Sequence, residues 1–237
     1  MRVALVSDQH GNDVAFRSVV ADIERVGAEV VVCLGDTVQG GAQPAETLER
    51  LTALGCATVL GNADAFLLGE DVAEPTTPEQ EQIRDWTVEQ LGPSGMQRLR
   101  AFQPTVDLEL EGQKVLCCHG SPRSYDDILL PEDKTALDAW MVDADLLAGG
   151  HTHKQWTRRI GDALFVNPGS VGLAYDHHQP REAIRFQPVA EYALVFLDGR
   201  GAAVEFRRIP YDVDELREAI RASGRPHADE HLRMYAT

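Results

Sequence analysis

The chain is poor in positive charge: 22 lysines and arginines stand against 38 aspartates and glutamates, a formal charge of −16 over 237 residues. A surface of that sign repels polyanions at long range, which argues against duplex nucleic acid and anionic membranes as partners. Cysteine is scarce as well. Cys33, Cys56, Cys117 and Cys118 show no C-x-x-C spacing, and three of them sit in strongly apolar runs, so reduced buried thiols are expected rather than a disulfide framework. No apolar run approaches the roughly 18 residues of a membrane-spanning helix. The early apolar stretch, Val3 to Val6, is too short for a secretory signal, and a cytoplasmic location is expected. Repeats and low-complexity tracts are also missing, which excludes repeat arrays and disordered chains.

What is present is ordinary globular material, 43% apolar and 25% charged, enough for a substantial core. One domain over residues 1–237 is expected, with a core over about 1–210 and a C-terminal helix and tail over 211–237. Short β-rich runs alternate with helical patterns, the mark of α/β architecture with parallel strands. Val3 to Ser7, Val30 to Leu34, Ala57 to Leu60, Lys114 to Cys118, Asp145 to Ala148 and Leu164 to Val166 read as strands. Asp13 to Arg25, Gln43 to Leu54, Pro78 to Gln90, Thr135 to Val142 and Asp212 to Arg221 read as helices. Hairpins are expected around Glu111-Gly112-Gln113 and Asp198-Gly199-Arg200-Gly201. Gly69 to Pro78 and Leu173 to Pro188 read as long surface loops that could overhang a site, and the polar tail after Ser223 as loosely attached.

Set against these runs is a series of metal-competent donors, each at or just past the end of an apolar stretch: Asp8-Gln9-His10, Gly35-Asp36, Gly61-Asn62, His119-Gly120 and Gly150-His151-Thr152-His153. In α/β sheets the functional crevice lies beyond the carboxyl ends of the strands, so five separate segments should meet on one rim. Asp8 and His10 are two apart, as are His151 and His153; extended backbone would point each pair the same way. Hard oxygen and imidazole donors in this number suit two divalent cations sharing a carboxylate. One such group alone would be a cap or turn residue. The five together are specific.

The ordered set D-x-H, G-D, G-N, H-G and G-H-x-H resembles the calcineurin-like metallophosphoesterase family over roughly residues 1 to 210. The run Asn167-Pro168-Gly169-Ser170 is similar to its small prokaryotic phosphodiesterase branch, which includes enzymes acting on dinucleoside polyphosphates. The resemblance implies a four-layer α/β/β/α sandwich, two mixed sheets face to face with helices outside. It also implies that Asp8, His10, Asp36 and His153 hold one metal and Asp36, Asn62, His119 and His151 the other, with Asp36 as bridge and Asp36, Asn62 and His119 as catalytic residues. The cations would be manganese, iron, zinc, cobalt or nickel, since donors without thiolate do not choose among them. The implied reaction is hydrolysis of a small phosphate ester by in-line attack of a metal-bridging hydroxide. Such an ester is compatible with an acidic chain because paired dications reverse the local sign.

One position departs from the family. Many members carry a histidine after the asparagine, read as the proton donor to the leaving oxygen, where this chain has Gly61-Asn62-Ala63-Asp64. Alanine donates no proton, so aryl diesters and nucleotide phosphoanhydrides are expected to be turned over far better than alkyl monoesters. Other residues carry two readings each. Asn12 is a helix cap or a substrate contact, Arg123 an exposed side chain or a phosphate clamp, and Asp64 an orienting group or the end of a turn. His177 and His178 are solvent-exposed loop residues or a substitute acid; Asn167 and Ser170 support the rim or form a turn. Two further functions stand beside the main one: a phosphoprotein (Ser/Thr) phosphatase, disfavoured by the missing acid, and a non-catalytic metal-binding scaffold, which predicts eroded ligands. A homo-oligomer is left open.

Overall fold

Alternation along the first strand sets the architecture. In β1 (Arg2–Val6), Val3 and Leu5 face one way and Ala4 and Val6 the other, and all four are buried, so the strand is sandwiched between two apolar layers. The computed structural model describes residues 1–70, 76–133, 143–180 and 183–235. The other elements described are α1 (Asp13–Val26), β2 (Val30–Cys33), α2 (Pro44–Leu54), β3 (Ala57–Thr58), α3 (Asn62–Leu68), α4 (Pro78–Leu99), β4 (Val106–Leu110), β5 (Gln113–Cys117), β6 (Leu146–Ala148), β7 (Gln155–Ile160), β8 (Ala163–Pro168), β9 (Val189–Leu197), β10 (Ala202–Pro210), α5 (Val213–Ala222) and α6 (Ala228–Met234).

The strands form two mixed five-stranded sheets, ordered β10-β9-β1-β2-β3 and β4-β5-β6-β8-β7. Each keeps three neighbouring strands parallel, β1-β2-β3 in one and β5-β6-β8 in the other, with antiparallel strands at the flanks. Their inner faces share one core, in which Val3, Leu5, Val32 and Val195 meet Val115, Cys117, Leu146 and Val166. On the outer face of the first sheet, Ala4, Val6, Tyr192 and Leu194 pack on Phe16, Val19, Leu216 and Ile220 from α1 and α5. The fold is thus the α/β sandwich of two mixed sheets flanked by helices that the resemblance implies. The outer face of the second sheet packs Leu147, Trp156 and Phe165 against Cys118 and Leu129; the helix expected over Thr135 to Val142 lies outside the described residues. All four cysteines are free. No helix among the described residues is long and apolar enough to cross a membrane.

Several expectations need correction. Asn62 opens a helix, α3, where only a turn was read; Asp64 at its third position accepts from the Gly61 amide and satisfies an end that would otherwise be orphaned. The helix from Pro78 does not stop at Gln90. It breaks at Gly92, whose φ of 57° and ψ of −176° are non-helical, and resumes at Pro93, an N-terminal position that tolerates proline. Strand β7 was not expected, because its alternation is filled with arginine and threonine. The tail after Ser223 is not loose: it forms α6 and buries Tyr235 to 3% exposure.

Candidate metal centre

Every parallel strand delivers a polar residue to the same rim. Asp8 follows β1, Asp36 follows β2, Asn62 follows β3, His119 follows β5, His151 follows β6, and Asn167 lies at the end of β8. The rim is closed by bonds that cross between the sheets: the His119 ring bonds the Leu34 carbonyl at 2.7 Å, and the His151 amide reaches Asp8 Oδ2 at 3.3 Å. Gly61 and Gly150 make the close approach feasible. A Cβ on Gly61 would lie 2.1 Å from Asp36 Oδ1, and one on Gly150 2.0 Å from Ser7 Oγ, so any side chain there would fill the cradle.

The seven donors gather into two triads plus an amide. Asp8, His10 and His153 form one group with ligand atoms within 4.8 Å of each other, and Asp36, His119 and His151 the other. Asn62 Oδ1 joins the second, 2.9 Å from His119 Nε2 and 2.8 Å from His151 Nδ1. Between the groups lies Asp36 Oδ2, 3.7 Å from His10 Nε2 and 3.3 Å from His119 Nε2. Its other oxygen is engaged by the Ala63 amide at 2.8 Å, which turns Oδ2 toward both triads.

The extended geometry expected for the D-x-H and H-x-H segments is not what brings their side chains together. Asp8, His10, Asp36, His151 and His153 all have φ between 48° and 68°, the left-handed region that costs a non-glycine residue roughly 1–2 kcal/mol. Five strained residues in one place mark a position that the fold over-determines. Hydrogen bonds supply the constraint: Asp8 N to Gly35 O at 2.9 Å, His10 N to Asp36 O at 3.0 Å, and Val171 N and Gly172 N to Ser7 O and Asp8 O at 3.0 Å each.

Backbone carbonyls orient the imidazoles. A carbonyl only accepts, so His119 Nδ1 donates to Leu34 O at 2.7 Å, His10 Nδ1 to Gln39 O at 2.8 Å and His153 Nδ1 to Leu173 O at 3.4 Å, and each Nε2 turns inward. Proton occupancy then splits within each triad. Burial works against charge on His119, yet the Asp36 carboxylate beside it pushes its pKa up to about 10, while burial and the His119 charge bring His151 down to about 4. In the other triad burial opposes but Asp8 raises His153, and burial lowers His10. The two rings face each other Nε2 to Nε2 at 3.1 Å, which requires one protonated and one neutral partner. Burial favours the neutral acid at Asp8 and Asp36, but the surrounding imidazoles outweigh it and hold both below the ordinary carboxylate range.

This donor set fits divalent cations. Among the described residues Asp8 Oδ1 is fully buried without a hydrogen-bond partner, 3.3 Å from His153 Nε2 and 3.9 Å from His10 Nε2. Among the described residues every ion pair to Asp8 or Asp36 comes from an imidazole and none from lysine or arginine. Each triad therefore holds an ionised carboxylate and a displaceable proton, the arrangement a metal ion exchanges into.

The supporting residues resolve most of the paired readings. Asn12 caps α1 through Ala15 N and donates to Gly172 O at 3.1 Å; at 1% exposure its amide faces protein, not open solvent. Asp64 accepts from Thr37 N and Thr37 Oγ1 at 3.0 and 2.8 Å, holding the residue after the bridge; burial and the Asp36 charge push its pKa up to about 7. Asn167 donates to Gly150 O at 2.6 Å and Thr152 Oγ1 at 3.1 Å, and Ser170 to Asp8 O at 2.8 Å, so the N-P-G-S run supports the rim. His177 bonds the His153 carbonyl at 3.0 Å, which holds the segment around His177 against the first triad, while His178 and Arg123 are exposed. The backbone carbonyls of Leu34, Gln39 and Leu173 were not anticipated, because their side chains give no hint of a partner.

Comparison with known proteins gives a concordant result. The Calcineurin-like phosphoesterase superfamily domain matches residues 1–190. The uncharacterized protein MJ0912 of Methanocaldococcus jannaschii is 28% identical over 235 residues, 92% of this chain and 91% of that protein. Phosphodiesterase YfcE of Escherichia coli is 26% identical over 183 residues, 73% of this chain and 80% of that one. A metallophosphoesterase structure from Sphaerobacter thermophilus superposes with a TM-score of 0.74 at 26% identity, covering 98% of this chain and 96% of the other.

Proposed function

The chain belongs to the calcineurin-like phosphoesterase superfamily and is a metal-dependent phosphoesterase, and from that premise we propose that it works with two divalent cations on phosphodiester or phosphoanhydride bonds of small nucleotides or aryl esters. The observation that carries this reading is the position of Asp36 Oδ2, within 3.7 Å of an imidazole of either triad. Asp8, His10, Asp36 and His153 would hold one cation, and Asp36, Asn62, His119 and His151 the other. When bound, paired cations supply Lewis acidity and make a water molecule nucleophilic at neutral pH.

The chain's own residues do the rest. Asp36 would offset the repulsion between two bound cations, with one oxygen held by the Ala63 amide and the other facing both triads. The carbonyls of Leu34, Gln39 and Leu173 keep the Nε2 atoms of His119, His10 and His153 aimed at the centre, so that little reorganisation would be needed as negative charge develops on the phosphoryl oxygens. Arg123, exposed four residues beyond His119, is the proposed phosphate contact, whereas Asn12 acts through the Gly172 carbonyl rather than by touching substrate. The acidic surface turns away long polyanions, which narrows the substrate to a small diffusible ester. The similarity to a phosphodiesterase favours the diester over the phosphoprotein reading.

Ala63 sharpens the test. Without a proton donor at that position, rates should follow the basicity of the leaving group. A series from nitrophenyl diesters to alkyl monoesters, assayed with manganese, should fall by about a hundredfold or more across its range. A flat series would show that another group protonates the leaving oxygen.

A further inference from the structure

We infer that the C-terminal segment Arg225–Tyr235 is a strap that positions the Asp8–His10–His153 triad and leaves the Asp36–His119–His151 triad alone, with Arg225 and Tyr235 as the positioning residues. The inference rests on the paired-cation reading above. His10 and His153 each take their Nδ1 partner from a loop carbonyl, Gln39 O and Leu173 O. The strap grips the residue adjacent to each of these. Arg225 Nε donates to Gly40 O at 2.8 Å, and the Tyr235 hydroxyl donates to Gly172 O at 3.2 Å.

Both attachment points lie against the D-x-H segment itself. A Cβ on Gly172 would sit 1.9 Å from Gln9 O, and one on Gly41, next to Gly40, 2.1 Å from His10 O. Gly40 has a φ of 108°, so nothing in its own side chain fixes the peptide that orients His10. A donor fixed elsewhere must do so. The strap has the rigidity required: Tyr235 is 3% exposed, its ring lies 5.3 Å from Phe186 and stacks on His231 at 5.5 Å, and Phe186 N bonds Met234 O at 2.9 Å. Arg225 also bonds the carbonyls of Pro226 and His227 at 2.8 and 3.3 Å, which fixes its fork. The second triad is held differently, by Leu34 O after β2 and by α3. Among the described residues no hydrogen bond joins the strap to either. The strap also lies beyond the residues that the family model matches, whereas these supports lie within them.

The test is calorimetric titration with manganese(II) on the full chain in two backgrounds: His151→Asn, which disables the second triad, and His10→Asn, which disables the first. Adding Tyr235→Phe and Arg225→Lys together should weaken manganese about tenfold in the first background, the usual scale for outer-shell partners, and leave the second within twofold. Equal weakening in both backgrounds, or none in either, overturns the strap. If the double variant does not fold, Tyr235→Phe alone keeps the ring, removes the hydroxyl and with it the bond to Gly172, and is judged by the same criterion with a smaller loss. A parent chain that fails to take up two equivalents of manganese overturns the paired-cation reading instead; a parent that takes up two, with strap variants unchanged, overturns the strap alone.

Discussion

Two buried aspartate clusters in this molecule solve opposite problems. Asp22, on the inner face of α1, is 7% exposed and surrounded by fixed donors: Tyr192 at 2.7 Å, Arg207 at 2.7 and 3.3 Å, and Arg25 at 3.1 Å. Among the described residues Asp36, 3% exposed, has only imidazoles as ionic partners, and its neighbour Asp8 keeps an oxygen with no hydrogen bond. Guanidinium is always charged and offers donors only, so it closes the Asp22 cluster permanently. Imidazole can give up its proton and present a lone pair, so the rim stays open to a cation. Regular backbone carries the first cluster, helix α1 for Asp22 and Arg25 and strands β9 and β10 for Tyr192 and Arg207, whereas strained left-handed backbone carries five residues of the second. A buried carboxylate that the protein itself neutralises is structural; one left to titratable partners is available for chemistry.

The contrast is best broken by isosteric changes. Asp36→Asn keeps an oxygen for the Ala63 amide but removes the shared charge; phosphodiester hydrolysis should fall by about a thousandfold or more, since losing such stabilisation costs several kcal/mol. Its circular dichroism and melting profile should stay close to those of the parent. A variant retaining full rate would take the bridge out of the mechanism. Asp22→Asn should do the reverse. Leaving Arg207 and Arg25 without their anion should cost about 3 kcal/mol in urea unfolding, with turnover per folded molecule unchanged within twofold.

Cation binding sharpens the distinction further. Manganese at a hundredfold excess over its dissociation constant should raise unfolding free energy by about 2.7 kcal/mol per site, seen as a shift of the urea midpoint. The Asp22→Asn chain should keep that increment and the Asp36→Asn chain should lose much of it. The smallest effect is in acid. Burial alone would raise the Asp22 carboxyl, but Arg207, Tyr192 and Arg25 outweigh it and bring it from 3.8 down to about 2. A carboxyl depressed by folding contributes stability that is complete above about pH 4 and is lost as pH falls through about 2, roughly 2 kcal/mol in all. Stability profiles between pH 5 and 2 should therefore be flatter for Asp22→Asn than for the parent.

The rim was legible because its donors sit in one group per strand end, in an order that few folds produce, and because Gly35, Gly61 and Gly150 punctuate them. Asp22 was not legible. It is one acid in an amphipathic helix, and its partners Tyr192 and Arg207 lie 170 and 185 positions away. Helix α3 was hidden by its shortness, and β7 by a polar alternation that reads as loop. Arg225 and Tyr235 gave no signal, since their roles depend on glycine carbonyls that come near only when the chain is folded.

The order and chemistry of the donors, the alternation of Val3 to Val6 and the scarcity of basic residues are written along the chain; they determine which groups can meet a cation and on which edge of the sheets. Whether Asp8, His10, His151 and His153 converge was decided by the tertiary structure, through left-handed backbone that no local preference favours. Backbone hydrogen bonds between distant loops, from Asp8 N to Gly35 O and from Gly172 N to Asp8 O, hold that strain, and such bonds exist only once the strands that carry these loops are in place.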